Sequence, residues 1–391
     1  MAPIRIALVG LSSSAKTGWA AGAHLPYLLS ERGRARYEIV ALLNSSEDAA
    51  RAAVAAYDLP ASTTRAYGSA AALAADAAVD LVVVCTRVDN HHAGALASLR
   101  AGKDVYIEWP VSQDVARSRE LLAAAAEGGG RTMVGVQGRV APPVLKVREL
   151  LRQGRIGKVL SSEVLANGGL NSRDSIPASL EYFTDKAIGG NIYTIGFGHL
   201  FDQVNSVLGH IQNPQGNLHL QRPEVKLIDA SGQAAGTVTT NVPDLIVVTG
   251  QVAPGPDSGS SSGVDAAGAA VLHRFRLGAP FPGEAPLRWT VAGERGEIRL
   301  TAKAGTTLHA FSYDLTDPVG PQGVSIEVHD FETDSVERAN WAWAAWQEEL
   351  PLRARSVAEL YERFADGRDV PTLADAVRSQ EQLEGLLARG P

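Results

Sequence analysis

Short apolar runs alternate with Ala-rich helical stretches over the first third of the chain. "IRIALVG" (4–10), "YEIVALLN" (37–44), "VDLVVVCT" (79–86), "KDVYIEW" (103–109) and "RTMVGVQG" (131–138) read as strands. The third is almost wholly apolar, as a strand covered on both faces must be. Between them, "EDAARAAVAAY" (47–57), "HHAGALASLRA" (91–101) and "SQDVARSRELLAAAAE" (112–127) read as helices. Repeated strand–helix units with short connections predict an α/β protein that begins with a doubly wound parallel sheet.

The pattern changes near residue 140, which predicts domains at 1–139 and 140–391. "PPVLKVRELLRQGRIG" (142–157) is an amphipathic helix ending at a glycine, "KVLSSEVLANGG" (158–169) a strand, and "GGNIYTIGFGHLFDQVNSVLG" (189–209) one long helix in a buried place. "EVKLIDA", "DLIVVTGQV", "AVLHRFRLG", "LRWTVAGERGEIRLTA" and "VSIEVHDF" then follow as strands with no helices between them. Consecutive strands predict an α+β domain with a large, mostly antiparallel open sheet. "APGPDSGSSSGVDAAGA" (253–269) predicts a mobile hairpin loop. "VAELYERFADG" and "LADAVRSQEQLEGLLA" return to helix, expected to pack back towards the first domain. "WAWAAWQEEL" (341–350) predicts a packed surface or an oligomer contact.

Composition narrows the classes. The 391 residues exceed one ordinary core, and 45% apolar with 20% charged residues suits a globular chain. A net charge of −7 argues against direct nucleic-acid binding, which needs a basic face. No stretch offers about 18 uninterrupted apolar residues, so no membrane span is expected. The N-terminus enters a strand at once, without room for a signal peptide, and the single cysteine, Cys85, excludes a disulfide framework. The expected location is cytoplasmic.

Doubly wound sheets bind ligands outside the carboxyl ends of their strands. Gly10, Ser12, Ser13 and Ser14 form the first such turn, small enough for a dinucleotide pyrophosphate to approach the backbone. The full G-x-G-x-x-G spacing is absent. The second strand ends in Asn44, Ser45 and Ser46 rather than an acid, with Arg51 a turn or two on. That leans towards NADP and leaves NAD open. A helix cap by Ser46 accounts for the same residues. "HH" at 91–92 diverges on a helix and has no carboxylate at ligand spacing, so no metal is expected.

"CTRVDNHHAGALASLRAGKDVYIEWP", "VGVQGRVAPPVLKVRELLRQGRIGKVLSSE" and "GGNIYTIGFGHLFD" together resemble the glucose–fructose oxidoreductase / inositol dehydrogenase (Gfo/Idh/MocA) family. "GWAAGAHLPYLL", "EWP" and "GFGH" resemble its galactose-repressor subgroup most. The resemblance implies a Rossmann domain, then an α/β domain whose open sheet forms homo-oligomer contacts, with the nicotinamide of NADP or NAD lying between the two. It implies hydride exchange with a sugar-like or other small carbonyl or alcohol substrate. It also implies a lysine in E-K-P and an Asp–His pair on the long helix as proton-handling groups.

Here the lysine position is Trp109, the proline and asparagine of T-P-N are Arg87 and Val88, and the helix aspartate falls at Thr194 or Ile195. An extra residue precedes His199, as a π-bulge would require. The expected catalytic set is His199 with Tyr193 and Lys186 as replacement proton donors. The alternative for His199 is a core imidazole bonded to Asp202 or a carbonyl. Thr86, Arg87, His91, Glu108, Trp109, Gln137 and Arg139 are expected at the cofactor, and Trp109, Asn191 and Asp202 at the substrate. The second reading is a non-catalytic NAD(P)-binding transcriptional regulator acting through a protein partner.

Overall fold

The structure, a computed structural model, describes residues 2–169, 172–254, 263–310, 312–313, 316 and 322–388. It divides into two compact units. One contains Met1–Gln137, Ala187–Gly190 and Ala345–Gln380; the other contains Gly138–Lys186, Asn191–Ala344 and Glu381–Pro391.

The first unit holds a six-stranded sheet of β1 (Ile4–Val9), β2 (Tyr37–Leu43), β3 (Arg65–Tyr67), β4 (Leu81–Val84), β5 (Asp104–Glu108) and β6 (Thr132–Gly135). The order is β3-β2-β1-β4-β5-β6 and every pair is parallel. All four residues of β4 are buried, as its apolar run requires. The strand order reverses between β1 and β4. Register aligns Val9 with Leu43 and Val84, Val84 with Ile107, and Glu108 with Gly135. Gly10, Asn44, Cys85, Trp109 and Val136 therefore leave the sheet at one edge. Ser46, Ser69 and Asp114 cap three of its helices, accepting from the backbone N–H three residues on.

The second unit is built on β7 (Val159–Gly168), β8 (Ser175–Pro177), β9 (Ile211–His219), β10 (Glu224–Ile228), β11 (Ala234–Thr239), β12 (Leu245–Val252), β13 (Ala270–Leu277), β14 (Leu287–Gly293), β15 (Gly296–Ala302), β16 (Val324–Asp330) and β17 (Ser335–Arg338). Eight form one sheet, β17-β16-β15-β14-β7-β13-β12-β9, antiparallel throughout except for β13–β7. β11-β10-β8 form a small second sheet. β12 and β13 make the expected hairpin, but residues 255–262 of its loop lie outside the described residues.

The expected single helix over 189–209 is two pieces. A π-helical turn, Ile192–Phe197, runs into an α-helix, Gly198–Leu208. The wider turn absorbs the extra residue before His199. Ten of the eleven α-helical residues are buried. Its aromatic face lies on the buried side of β13, with Phe201 5.6 Å from His273 and Phe197 6.0 Å from Phe275 between ring centroids. Trp341 and Trp343 are core residues packed edge-on around Tyr313. Among the described residues no helix is long and apolar enough to cross a membrane.

Candidate functional site

The first group of candidates lies where the strands of the parallel sheet end. Gly10 has φ +93°, and a Cβ there would stand 2.7 Å from Thr86 Cγ2 and 3.1 Å from the Cys85 carbonyl oxygen. Two strand ends thus touch at a point that only glycine fills. The next helix starts at Ala20 with no side chain capping its first turn, and its Gly22 N–H is taken by the Gly18 carbonyl at 2.9 Å. Ser13 and Ser14 are exposed, and Ser14 N–H donates to Ser12 Oγ at 3.2 Å. Two polar side chains at this edge end without partners among the described residues: Thr86 Oγ1 and both amide atoms of Gln137, a residue with no exposed surface. Buried polar atoms are nearly always satisfied, so these fit a polar ligand. The cradle at Gly10 and the orphan groups suit a dinucleotide.

Gly10→Ala is expected to cost about 1–2 kcal/mol from the left-handed backbone alone. It should also weaken dinucleotide binding at least tenfold by pushing Thr86 away. Urea unfolding and a fluorescence titration with NADH check the two effects separately.

Other expected cofactor residues are committed elsewhere. Asn44 Nδ2 donates to the Leu11 carbonyl at 2.9 Å, so it ties the first two turns together. Ser46 is the cap of the helix Glu47–Ala56, and Ser45 beside it is exposed. Arg51 pairs with Glu47 and, at 3.1 Å, with Asp48. Arg87 is exposed and pairs with Asp89. His91 is buried, its Nδ1 2.8 Å from the Pro110 carbonyl oxygen and its Nε2 2.9 Å from that of Thr86. It braces two strand ends and offers a ligand nothing. Trp109 is 4% exposed and joined to Pro110 by a cis bond.

Glu108 points into the core rather than towards a ligand. Its Oε1 accepts from Tyr106 Oη at 2.7 Å and lies 2.9 Å from His24 Nε2, while His24 Nδ1 meets Tyr361 Oη at 2.8 Å. Burial, the largest influence, pushes the Glu108 carboxyl up. The bonds with His24 and Tyr106 outweigh it and hold the group below the ordinary carboxylate range. Cys85 Sγ lies 3.4 Å from His24 Nε2, and burial pushes its thiol up. The ligand atoms of His24, Cys85 and Glu108 fall within 4.8 Å of one another. Nothing in their sequence spacing announces this cluster. Hydrogen bonds already account for all three, so it reads as a core network.

The second group lies in the other unit. Arg139 grips Asp202 with two parallel bonds, Nε to Oδ2 at 2.8 Å and Nη2 to Oδ1 at 2.6 Å. That geometry is the strong bidentate form. It spends the guanidinium that the sequence reading assigned to the cofactor and the carboxylate assigned to the substrate. His199, one turn before Asp202, is not bonded to it. Its ring stacks on His309, centroids 4.1 Å apart and planes 2° from parallel, and its Nδ1 is buried without a partner among the described residues. Burial pulls the His199 pKa down to about 3, so the ring is neutral at physiological pH. Gln203 completes the group. Its Oε1 accepts from Leu308 N–H at 3.0 Å and its Nε2 is unpartnered among the described residues.

Both replacement proton donors are placed elsewhere. Tyr193 is 1% exposed and its Oη donates to the Leu383 carbonyl at 2.7 Å. Burial pushes its hydroxyl well above the ordinary range. Lys186 is exposed and borders an open hollow with Leu218, His219 and Asn241. Asn191 caps the π turn, its Oδ1 accepting from Tyr193 and Thr194 N–H, each at 3.0 Å. His24, Gln203 and His309 do not stand out in the sequence as site residues. Only His24 left a trace, in "GAHLPYLL"; the other two acquire meaning from their neighbours.

Residues 4–136 match the model of an oxidoreductase family with an NAD-binding Rossmann fold, and residues 142–302 match the C-terminal domain of Gal80p. A curated relative, dehydrogenase aclE of Aspergillus oryzae, is 32% identical over 344 residues, which cover 87% of this chain and 88% of the dehydrogenase. The galactose/lactose metabolism regulatory protein GAL80 of Saccharomyces cerevisiae is 28% identical over 262 residues, 65% of this chain and 59% of the regulator. Among solved structures, a super-repressor mutant of Gal80p from Saccharomyces cerevisiae has a TM-score of 0.82 at 22% identity, covering 99% of this chain and 95% of that one. The last likeness is one of fold. The chain belongs to the Gfo/Idh/MocA oxidoreductase family, with an NAD-binding Rossmann domain followed by a domain of the Gal80p C-terminal type.

Proposed function

We propose that the protein is a dinucleotide-dependent oxidoreductase acting on a small carbonyl or alcohol compound such as a sugar, with His199 as its proton-handling group. The observation that carries this is the neutral, buried imidazole whose Nδ1 has no partner among the described residues. Tyr193 and Lys186 drop out as donors, one spent on a carbonyl and one on the surface. Trp109 has no exchangeable acid–base group to take the lysine's part.

A bound dinucleotide supplies the carbon that gives or takes the hydride. This chain's residues do the rest. The Gly10 turn would hold the pyrophosphate, and Thr86 Oγ1 and the Gln137 amide would complete the cofactor contacts. We assign His199 Nδ1 to take the proton of the reacting hydroxyl in oxidation and to return it in reduction, a role that requires the bound ligands to raise its basicity above the ligand-free value of about 3. The Arg139–Asp202 pair holds the helix that carries it. Arg51, the sequence argument for NADP, is engaged by Glu47 and Asp48, and these acids would repel a 2′-phosphate. We therefore take NAD as the preferred cofactor.

The test is turnover of NAD(H) and NADP(H) across a panel of sugars, polyols and small ketones. His199→Gln is expected to lower turnover about 100-fold or more while leaving dinucleotide affinity within twofold. Tight binding with no turnover on the whole panel would instead support a non-catalytic regulator working through a protein partner, the reading that buried Trp109 in the lysine's place favours. The open face of the eight-stranded sheet carries half-buried Leu165, Leu245, Val247 and Leu272, which supports a homo-oligomer contact there.

A further inference from the structure

Four arginines gather at one end of the β13 region, and the carboxylates described beside them are engaged by other groups. Arg274 and Arg276 alternate along one face of β13. Arg173 and Arg222 line a hollow with Ser172, Ser175, Phe183 and Asp244. Arg173 Nη2 and Arg276 Nη2 converge on a single backbone oxygen, that of Ala279, at 2.8 and 3.0 Å. Two cations sharing one carbonyl leave most of their N–H groups unspent. The Arg222 and Arg274 guanidinium groups have no hydrogen-bond or salt-bridge partner among the described residues. Asp244, the carboxylate in the lining, is already taken by the backbone N–H groups of Gln221 at 2.8 Å and Arg222 at 3.0 Å. Asp174 nearby pairs with Lys226. The pKa of Arg276 is lowered by burial first, then by Arg173, Arg274 and Arg222.

The cluster is held in place by the fold. Gly278 has φ +93°, and a Cβ there would stand 1.9 Å from Arg173 Cγ, so the arginine stem lies across a position that only glycine leaves open. Below the cationic rim the wall is apolar: Ile176, Phe183, Ile192, Val225 and Leu277. Ser172 and Ser175 hydroxyls, 2.7 Å apart, stand beside Arg173. None of the lining belongs to the His199 group or to the dinucleotide edge.

From this arrangement we infer that the hollow is a second ligand site, which takes a small phosphate monoester with a flat, largely apolar body. Two arginine forks in the lining, Arg173 and Arg222, with the Ser172 and Ser175 hydroxyls suit a tetrahedral dianion better than a planar carboxylate. The apolar wall receives the remainder. The site does not depend on the redox reading, because it shares no residue with that chemistry.

The experiment is calorimetric titration of the full chain with phenyl phosphate, benzoate and inorganic phosphate, with mass measured alongside. Phenyl phosphate is expected to bind saturably, at least tenfold tighter than benzoate or inorganic phosphate. Arg173→Gln and Arg222→Gln should each weaken it tenfold or more, and Arg173→Lys by less. Arg299→Gln, on the same sheet and paired to Glu327, should leave binding unchanged. Thermal unfolding confirms that each variant is folded, and phenyl phosphate should raise the midpoint of the wild type only. The proposal is overturned by no saturable binding in the wild type, by equal binding of benzoate, or by binding that survives both glutamine variants. It is also overturned if those variants change the oligomeric mass, because the arginines would then be answering a second copy of the chain.

Discussion

Asp202→Ala is expected to cost about 3–5 kcal/mol of folding stability, the loss associated with breaking a buried ion pair. Asp202 is 1% exposed and holds both faces of the Arg139 fork. Removing it takes the bidentate partner from a guanidinium whose side chain is only 16% exposed. Arg139→Ala should be no milder, because it takes the bidentate donor from a carboxylate that is 1% exposed. Replacing both, as Arg139→Met with Asp202→Leu, should recover most of the loss, since two apolar groups of similar volume leave no charge uncompensated. Urea unfolding of these proteins, with the Arg139→Ala, Asp202→Ala double variant closing the cycle, gives the coupling directly. A coupling below about 1 kcal/mol would mean that the pair behaves like a surface salt bridge. The functional consequence lies one helical turn away. The pair fixes the helix that presents His199, so Asp202→Ala should lower turnover more than it weakens dinucleotide binding.

A second large effect is expected in acid. Burial lowers His199 to about 3 and His273 to about 4, against an ordinary value of 6.5. Above pH 6.5 both rings are neutral folded or unfolded, and they contribute nothing to pH dependence. Below it the unfolded chain takes up protons that the folded chain refuses, so stability falls as pH falls, until the folded values are reached. Near pH 4.5 each ring is expected to cost on the order of 2–3 kcal/mol. Glu108 acts in the same direction, because its lowered value gives stability that is lost on acidification. His199→Gln should reduce the histidine-dependent slope between pH 6.5 and 4.5, and a His199→Gln, His273→Gln double variant should reduce it further, leaving the share of buried His91. Denaturant unfolding at pH 7.5, 6, 5 and 4.5 measures this. An unchanged slope in the single variant would show that His199 reaches solvent and titrates normally. That outcome would also remove the neutral imidazole on which its proposed role depends.

Much of this architecture is legible in the order of residues, for a local reason. Strands buried on both faces must be apolar, so β4 announces itself, as do β1 and β2 beyond Arg5 and Glu38, and the helices between them follow from spacing and from Ser46 and Asp114 as caps. The extra residue before His199 also has a local cause and a local result, the π turn. The edge strands were illegible. β9 contains Pro214, Gly216 and three Asn or Gln side chains between Gln212 and Gln215, and it forms because β12 offers a partner on one side only. β11 and β17 are almost wholly exposed and carry no apolar alternation to read.

The site divides along the same line. The placement of Gly10, Thr86 and Gln137 at strand ends and of His199 on its helix was readable, because motif and strand tip are sequence properties. Which of the polar candidates remain available to a ligand was not. Arg139 and Asp202 are 63 positions apart and cancel each other; Tyr193 reaches Leu383, and Glu108 turns to His24. A hydrogen bond is settled by proximity in space, and a pKa by how much water is excluded. The chain alone thus determined the fold and the family to which it belongs. Only the tertiary structure decided which side chains were already spent, and it left His199, Thr86 and Gln137 with polar atoms still unsatisfied among the described residues.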